Sequence, residues 1–422
     1  MKLTARNLRF IVFKASVDVI FIQALILMVM FFEIVDIVLY VLLAINVLYL
    51  LVYSIASLKR SKNNSTEYKP AETSYTHFAI VIAAYREDNV IEHTVKTCLA
   101  VDYPSDKFDV VVVSDHMKPE TNERLRQMPI KMLQVDFEHS SNTNSLKAAV
   151  NELNAYGHYD VVVIVDADNL IPKTYLRDLN AKFSDPSVEV VQTHRVAKNI
   201  NTDMAYLDAI SEEINNSIFR QGHANLGMSA ALIGSGMAFR FKLFYNAILS
   251  AESVGGFDRE LELRLLYNGV KFHYLPETYI KDEKIQHSQH FYKQRRRWLA
   301  AQYESLWTFA HYLLPAIKHR RWDFCDKLIQ QAMFSRVLLL GILCVIAVFM
   351  QIVFAQYALK WWILLAALMT VLICAIPRRY CTRKLLKVLS LVPLTFAMMF
   401  CNLFKLKEAK RKFIHTEHGI KK

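Results

Sequence analysis

Hydrophobic and polar positions along this chain change period several times. Residues 15–32 and 37–58 are almost unbroken apolar runs, each near the ~20 residues that a membrane helix requires. Glu33 and Asp36 fall between them, so the pattern predicts two N-terminal membrane helices within residues 1–58, joined by a turn. A signal peptide is disfavoured, because no small-residue cleavage site follows the first run and a second run begins at once. Lys2, Arg6, Arg9 and Lys14 precede the first run, and Lys59, Arg60 and Lys62 follow the second. Positive charge collects on the cytoplasmic side of membranes. Both the N-terminus and the chain after Leu58 are therefore expected in the cytoplasm. Residues 59–75 are polar, contain Pro70 and read as a linker.

From 76 to 285 short β-branched runs alternate with amphipathic stretches. Strands are expected at 78–84, 110–113, 130–135 and 161–165, and helices at 89–100 and 145–153. The run Val161-Val162-Val163-Ile164-Val165 has no polar alternation, as expected of a strand buried on both faces of a parallel sheet. The alternation predicts a cytoplasmic α/β domain with a mostly parallel sheet and right-handed crossovers. No strand is followed by Gly-x-Gly-x-x-Gly or a Walker loop, which disfavours the usual dinucleotide and NTPase readings.

After 285 the pattern turns aromatic and basic, with interfacial helices expected over 286–334, one of them at 324–334. Two further spans are expected at 336–356 and 360–376, within a membrane segment 335–377. Residues 378–422 open with Arg378, Arg379, Arg383, Lys384 and Lys387. Their apolar stretch 385–406 is broken by Pro393 and precedes a basic tail, so it is read as interfacial or re-entrant with the C-terminus cytoplasmic.

Composition sharpens this picture. The 422 residues are 53% hydrophobic, above the share usual for a soluble domain, and the formal net charge is +12. Lys and Arg flank apolar spans, which points to a lipid bilayer and an anionic substrate and away from nucleic acid. The six cysteines form no Cys-x-x-Cys pair, and three lie within apolar runs, so buried structural thiols are expected.

Candidate chemistry gathers at strand ends. Asp166 and Asp168 follow the 161–165 strand, where α/β sheets bind ligands, and two such acids suit a hard divalent cation and, through it, phosphate oxygens. Alone, Asp-x-Asp is a common acidic turn. Tyr85 and Glu87 end the first strand, and Asp115 ends the second, placed to accept from a base N–H. Lys147 opens a helix and reaches for a phosphate, or is an ordinary exposed lysine. Gly234-Ser235-Gly236, after an expected apolar strand, gives close approach to a sugar or is a tight turn. Asp258 opens a helix, as an N-cap or as a general base. Gln294-Arg295-Arg296-Arg297-Trp298 is either an interface anchor or a site where Trp298 stacks on sugar and Arg297 neutralises a diphosphate.

Taken together, Asp115, Asp166 with Asp168, Asp258, and Gln294 with Arg297 and Trp298 resemble the membrane-integrated family 2 glycosyltransferases of the cellulose, chitin and hyaluronan synthase group, over roughly residues 76–300. The resemblance implies a GT-A-type nucleotide-sugar-binding domain between transmembrane segments. It implies that Asp115 binds the base, that Asp168 holds Mg²⁺ or Mn²⁺, and that Asp258 deprotonates the acceptor. Gln294, Arg297 and Trp298 would then line the acceptor and diphosphate site. Phe413, His415 and Thr416 resemble the gating-loop motif of the cellulose synthases, with His where that motif has Val and His418 where it has Lys. Phe257 stands where many members have Glu, and no further pair of spans follows the tail motif.

The expected protein is thus an inverting transferase of the plasma membrane (the inner membrane in a bacterium). It would use an NDP-sugar, with a lean to UDP by resemblance, to build a polysaccharide on a glycan or lipid-linked acceptor. The alternatives are a transferase adding one sugar to a lipid or short glycan, a decayed nucleotide-sensing membrane protein, and a small transporter.

Overall fold

The computed structural model describes residues 5–59, 75–253, 255–405 and 419. The linker 60–74 and the tail residues Phe413, His415 and Thr416 lie outside the described residues.

The chain opens on one helix, α1 (Ala5–Ser57), of 53 residues, or roughly 80 Å at 1.5 Å per residue. This corrects the expected pair of helices. Residues 5–57 hold neither Gly nor Pro, so nothing in the backbone breaks the helix. The two acids that suggested a turn are satisfied from a distant helix instead. Tyr357 donates to Glu33 at 2.7 Å, Trp361 Nε1 donates to Asp36 at 3.0 Å, and Lys360 pairs with Asp36. One N-terminal helix, with a candidate span at Leu25–Ser57, also removes the reason for placing the N-terminus on the same side as residue 58.

Seven strands form one sheet in the order β3-β2-β1-β4-β6-β5-β7. They are β1 (Phe78–Tyr85), β2 (Phe108–Asp115), β3 (Lys131–Val135), β4 (Val161–Asp166), β5 (Val190–Ala197), β6 (Met237–Arg240) and β7 (Phe272–Asp282). All pairings are parallel except those of β6, which runs antiparallel to both β4 and β5. The β-branched runs are buried on both faces. Val162 and Ile164 belong to one core and Val161, Val163 and Val165 to the other, which is the two-residue alternation of a covered strand. The apolar stretch before Gly234 is not a strand; the strand, β6, follows the glycines.

The sheet is covered by α2 (Ile91–Leu99), α3 (Pro119–Arg126), α4 (Asn142–Tyr156), α5 (Tyr175–Phe183), α6 (Asp203–Asn215), a short α7 (His223–Asn225), α8 (Phe241–Leu249) and α9 (Phe257–Tyr267). Ser141 and Thr202 cap α4 and α6 by accepting from Asn144 N and Ala205 N. A π-helical segment, Asn216–Gly222, joins α6 to α7 and touches α1. A Cβ on Gly222 would lie 2.2 Å from Tyr53 O, so only glycine lets the two backbones meet there. Next to this contact, buried His223 sits among Tyr49, Asp326 and Gln330 at 2.8–3.1 Å, tying α1 to the α/β domain.

Then come α10 (Ser288–Phe309), α11 (Leu313–Lys318), α12 (Trp322–Ala332), α13 (Arg336–Val353), α14 (Ala355–Ala375), α15 (Arg383–Leu389) and α16 (Val392–Leu403). With α1, α13 and α14 are long and apolar enough to cross a membrane; α15 and α16, bent by 42° at their junction, add a fourth candidate if they form one span. Pro393 opens α16, where its missing N–H costs nothing. Cys344, Cys374 and Cys401 are exposed on these apolar helices; among the described cysteines only Cys98 and Cys325 are buried.

Candidate active site

The parallel register aligns the strand ends. Tyr85 pairs with Asp115 across β1 and β2, and Ala83 pairs with Asp166 across β1 and β4. Tyr85, Glu87, Asp166 and Asp168 all line one cavity of about 450 Å³. Asp168 is buried: its Oδ2 accepts from Glu283 N at 2.8 Å and its Oδ1 from Asn169 Nδ2 at 3.0 Å. Thr94 Oγ1 donates to Ala167 O at 2.7 Å and fixes the loop between the two aspartates.

The opposite wall comes from α9 and α10. Gly256 is the N-cap of α9, and no side chain caps the helix, so Asp258, in its first turn, does not serve as a cap. Its half-buried carboxylate faces Gly234, where φ is +83°, and a Cβ on that glycine would lie 3.7 Å from Asp258 Oδ2. Arg297 reaches in from α10. Burial pulls its guanidinium below the usual range, and the charges of Asp166 and Asp258 oppose that shift. Asp166, Asp258 and Arg297, from three separated segments, therefore act on one another within one cavity. Gln294 lines the same cavity, and its Oε1 is buried without a hydrogen-bond partner among the described residues. Trp298 lines it too, with the guanidinium of Arg295 4.4 Å from its ring. Arg295 thus covers one face of the indole, leaving less of it for a sugar than the expected stacking assumes.

Some expected residues stand off the cavity wall. Lys147 lies on α4 and is not part of the lining. Ser235 is buried behind the wall, and Gly236 is a turn glycine at φ +63° whose Cβ would meet Thr193 Oγ1 at 2.6 Å. Of the three small residues only Gly234 faces the site. Asp115 lies beside the cavity. Its Oδ1 accepts from His116 Nδ1 at 2.6 Å, while its buried Oδ2 has no hydrogen-bond partner among the described residues. A buried acceptor left empty is costly, so this atom is set to receive a donor from a ligand.

Along the same cavity lies an ionic network that the sequence patterns did not single out. Arg195 is 3.1 Å from Glu212 and 3.4 Å from Asp282; Glu212 also meets Arg220 at 3.2 Å, and Lys284 meets Asp282 at 2.7 Å. Burial pushes the Glu212 carboxyl up, but Arg195, Lys284 and Arg220 hold it well below the ordinary range. Burial depresses Arg195, and Glu212 and Asp282 more than reverse that. Asp208 and Glu212 occupy buried positions four apart on α6. Acids on the inward face of an otherwise apolar helix were the signal available for this network.

Asp166 and Asp168 suit a hard divalent cation, since both are carboxylates and each oxygen of Asp168 keeps a second lone pair beyond its N–H donor. Another potential ligand group is Asp115, His116 and Asp136, with ligand atoms within 4.8 Å of one another. There the two ring nitrogens of His116 already meet Asp115 and Asp136 at 2.6 and 2.7 Å.

Comparison with known proteins bears on this site. The profile described as "Glycosyltransferase like family 2" matches residues 76–301. The chain is 25% identical over 267 residues to a beta-monoglucosyldiacylglycerol synthase of Synechocystis, covering 60% of this chain and 54% of that protein. It is 23% identical over 232 residues to the probable glycosyltransferase YdaM of Bacillus subtilis, covering 52% and 54%. The chain thus spans about half the length of these curated relatives. Among solved structures it is similar to the mannosyltransferase PcManGT of Pyrobaculum calidifontis, in complex with GDP-Man and Mn²⁺, at 16% identity and a TM-score of 0.44, covering 79% and 98% of the two chains. The S. aureus TarS 1–349 structure gives 16% identity and a TM-score of 0.40, covering 80% and 91%.

Proposed function

The chain belongs to the glycosyltransferase-like family 2, and on that footing we propose that it transfers a sugar, with inversion, from a UDP-sugar to a hydroxyl of a lipid or glycan held at the membrane. The observation that carries the reading is the convergence of Asp166, Asp258 and Arg297 on one cavity that also reaches Val337 of α13 and Met399 of α16. One end of that cavity has the charges for a nucleoside diphosphate, and the other touches helices apolar enough for a bilayer.

In this reading Asp115 Oδ2 takes the N–H of the base, and Tyr85 and Glu87 border the nucleoside. Asp168, with Asp166, holds Mg²⁺ or Mn²⁺, which neutralises diphosphate charge when bound. Asp258 accepts the proton of the acceptor hydroxyl as its oxygen bonds to the anomeric carbon. The bond from that carbon to the diphosphate breaks on the opposite face, and Arg297 stabilises the departing anion. Gln294 Oε1, short of a donor, orients the acceptor hydroxyl. The domain sits on the cytoplasmic side of the plasma membrane, where nucleotide sugars are made.

Extension of a polysaccharide is the second reading, favoured by Gln294, Arg297 and Trp298 lying together on the wall. A panel of radiolabelled nucleotide-sugars, supplied to the purified chain with membrane lipids, tests both. One labelled lipid product supports single transfer, a ladder supports extension, and no transfer from any donor overturns the proposal.

A further inference from the structure

The cavity does not end at the donor's charges. Beyond Asp258 its wall passes along α6 to the first turn of α13 and to α16, where Val337, Thr395 and Met399 line it. Asp208, Ser211 and Asn215 recur on α6 at intervals of three and four, so they stand in one row roughly 10 Å long. A guanidinium sits at each end of this row. Arg295 from α10 pairs with Asp208, and its Nε is buried without a hydrogen-bond partner among the described residues. Arg336 donates from Nη1 to Asn215 Oδ1 at 2.7 Å and from Nη2 to Ser211 O at 3.0 Å. Both acceptors are neutral, and Arg336 forms no ion pair with a carboxylate among the described residues. The two guanidiniums lie close enough to repel each other.

The neighbouring acids do not balance them. Glu212 is shared between Arg195 and Arg220, and Glu262 is paired with Lys327 at 2.9 Å. Among the described residues Asp208 is the one carboxylate paired with either guanidinium, and Glu212, already divided between Arg195 and Arg220, reaches Arg336 only through space. Like charges held together out of bulk water are costly unless an anion joins them. Guanidinium forks match the oxygens of a phosphate in particular. The diphosphate of the donor does not fill this role in the proposed function, since Arg297 faces it from the side of Asp166 and Asp258. The apolar wall at Val337 and Met399 suits an anion that arrives on acyl or prenyl chains.

We propose that Arg295 and Arg336 bind the phosphate of an anionic lipid, whose chains leave the cavity between α13 and α16 and whose hydroxyl-bearing headgroup points toward Asp258. The ligand class is a phosphate ester on an apolar chain, either the acceptor itself or a lipid bound beside it. The inference rests on reading this cavity as the acceptor site, but its test measures binding and not transfer.

The test is equilibrium binding of short-chain phosphatidylglycerol, diacylglycerol and inorganic phosphate to the full chain in uncharged detergent, with UDP binding measured in parallel as a check of fold. Phosphatidylglycerol is expected to bind about tenfold or more tighter than diacylglycerol, through its charge-assisted hydrogen bonds. Arg336→Gln is expected to remove that advantage. Asn215→Asp, nearly isosteric, places a carboxylate on Arg336 and is expected to do the same even if Arg336→Gln folds poorly. Equal binding of the two lipids, or undiminished phosphatidylglycerol binding in Asn215→Asp with UDP binding intact, overturns the site. Inorganic phosphate binding as tightly as phosphatidylglycerol overturns a lipid as the source of the anion. Phosphatidylglycerol binding that depends on Arg336 in a chain that glycosylates no lipid would remove the proposed transfer and leave this site standing.

Discussion

The carboxylate of Asp258 faces Gly234 across the cavity, with space for a methyl group 3.7 Å from its Oδ2 and a backbone there at φ +83°. In the proposed mechanism this opening is where the acceptor oxygen comes to lose its proton. Replacing the base alone, Asp258→Asn, is expected to lower kcat by about 10²–10⁴-fold while UDP binding survives. Gly234→Ala keeps the base but puts Cβ into the opening and strains a left-handed residue by roughly 1–2 kcal/mol. Its kcat should fall more than its donor affinity. Steady-state kinetics beside UDP titrations check both variants, and a kcat near normal in Asp258→Asn would remove that residue from the role of base.

Asp115 gives a prediction of opposite kind, on binding and not on rate. The Phe137 N–H, which can only donate, faces Asp115 Oδ1 beside His116, so in Asp115→Asn the amide oxygen turns to that side and the NH₂ takes the place of the empty Oδ2. A donor then meets the donor of the base. UDP affinity should drop about tenfold or more, which is the scale of one buried hydrogen bond turned into a clash of like groups. Thermal stability should change little, because a buried unpaired acceptor is exchanged for a buried unpaired donor. Calorimetric titration and a melting curve on the same sample read both.

Strands β1 to β4 of this domain and the candidate residues at their ends were legible in the sequence because their causes are local, whereas β5, β6 and β7 were not among the expected strands. Val161–Asp166 is a strand by composition, and Asp166 marks its end whatever else the chain does. What escaped depends on residues far apart. Glu33 and Asp36 read as a turn until Tyr357, Lys360 and Trp361, more than three hundred positions later, supply their partners. Ser235 and Gly236 look as available as Gly234, and only the packing of Thr193 and Ile280 against Gly236 separates them. Asp258 had two readings from its position in the helix, and Gly256 at the cap removed one. The Arg195–Glu212–Asp282–Lys284 network joins β5, α6 and the end of β7, and its one local sign is the pair of acids on the inward face of α6, which names none of the partners.

That network predicts a stability cost. Glu212 is buried with Arg195 and Arg220 on either side. Glu212→Gln keeps the shape but leaves two enclosed guanidiniums facing a neutral amide. Removing one partner of such a buried pair typically costs about 3–5 kcal/mol. Denaturant unfolding should show a loss of that order, and a loss no larger than that of an exposed Glu→Gln control would show the network to be dispensable.

A pH dependence follows from His273, at the start of β7. Burial, with Lys182 and Lys271 nearby, pushes its pKa down from 6.5 to about 4, against the pull of Asp185. The fold therefore favours the neutral ring. Between about 4 and 6.5 the unfolded chain binds the proton more readily, so stability is lost as pH falls through that window and is constant in this term above it. His273→Gln should flatten the acid side of a plot of Tm against pH. An unchanged slope would mean that other groups govern it.

Metal dependence is the last consequence, and it separates two places for a cation. If Asp168 and Asp166 hold Mn²⁺ or Mg²⁺ against the diphosphate, UDP and metal bind each other's complex more tightly than either binds alone, and EDTA weakens UDP binding. Asp168→Asn removes the negative charge and keeps one oxygen to accept from Glu283 N, but turns its NH₂ toward Asn169 Nδ2, so the cation loses its ligand and a melting curve must accompany the titration as a check of the loop. In that variant UDP affinity should fall to the EDTA level and respond no further to added metal. Asp136→Asn, on the exposed partner of His116, should leave the metal response intact. The reverse outcome, a response lost with Asp136 and kept without Asp168, would move the cation to the His116 cluster and take Asp168 out of the proposed chemistry.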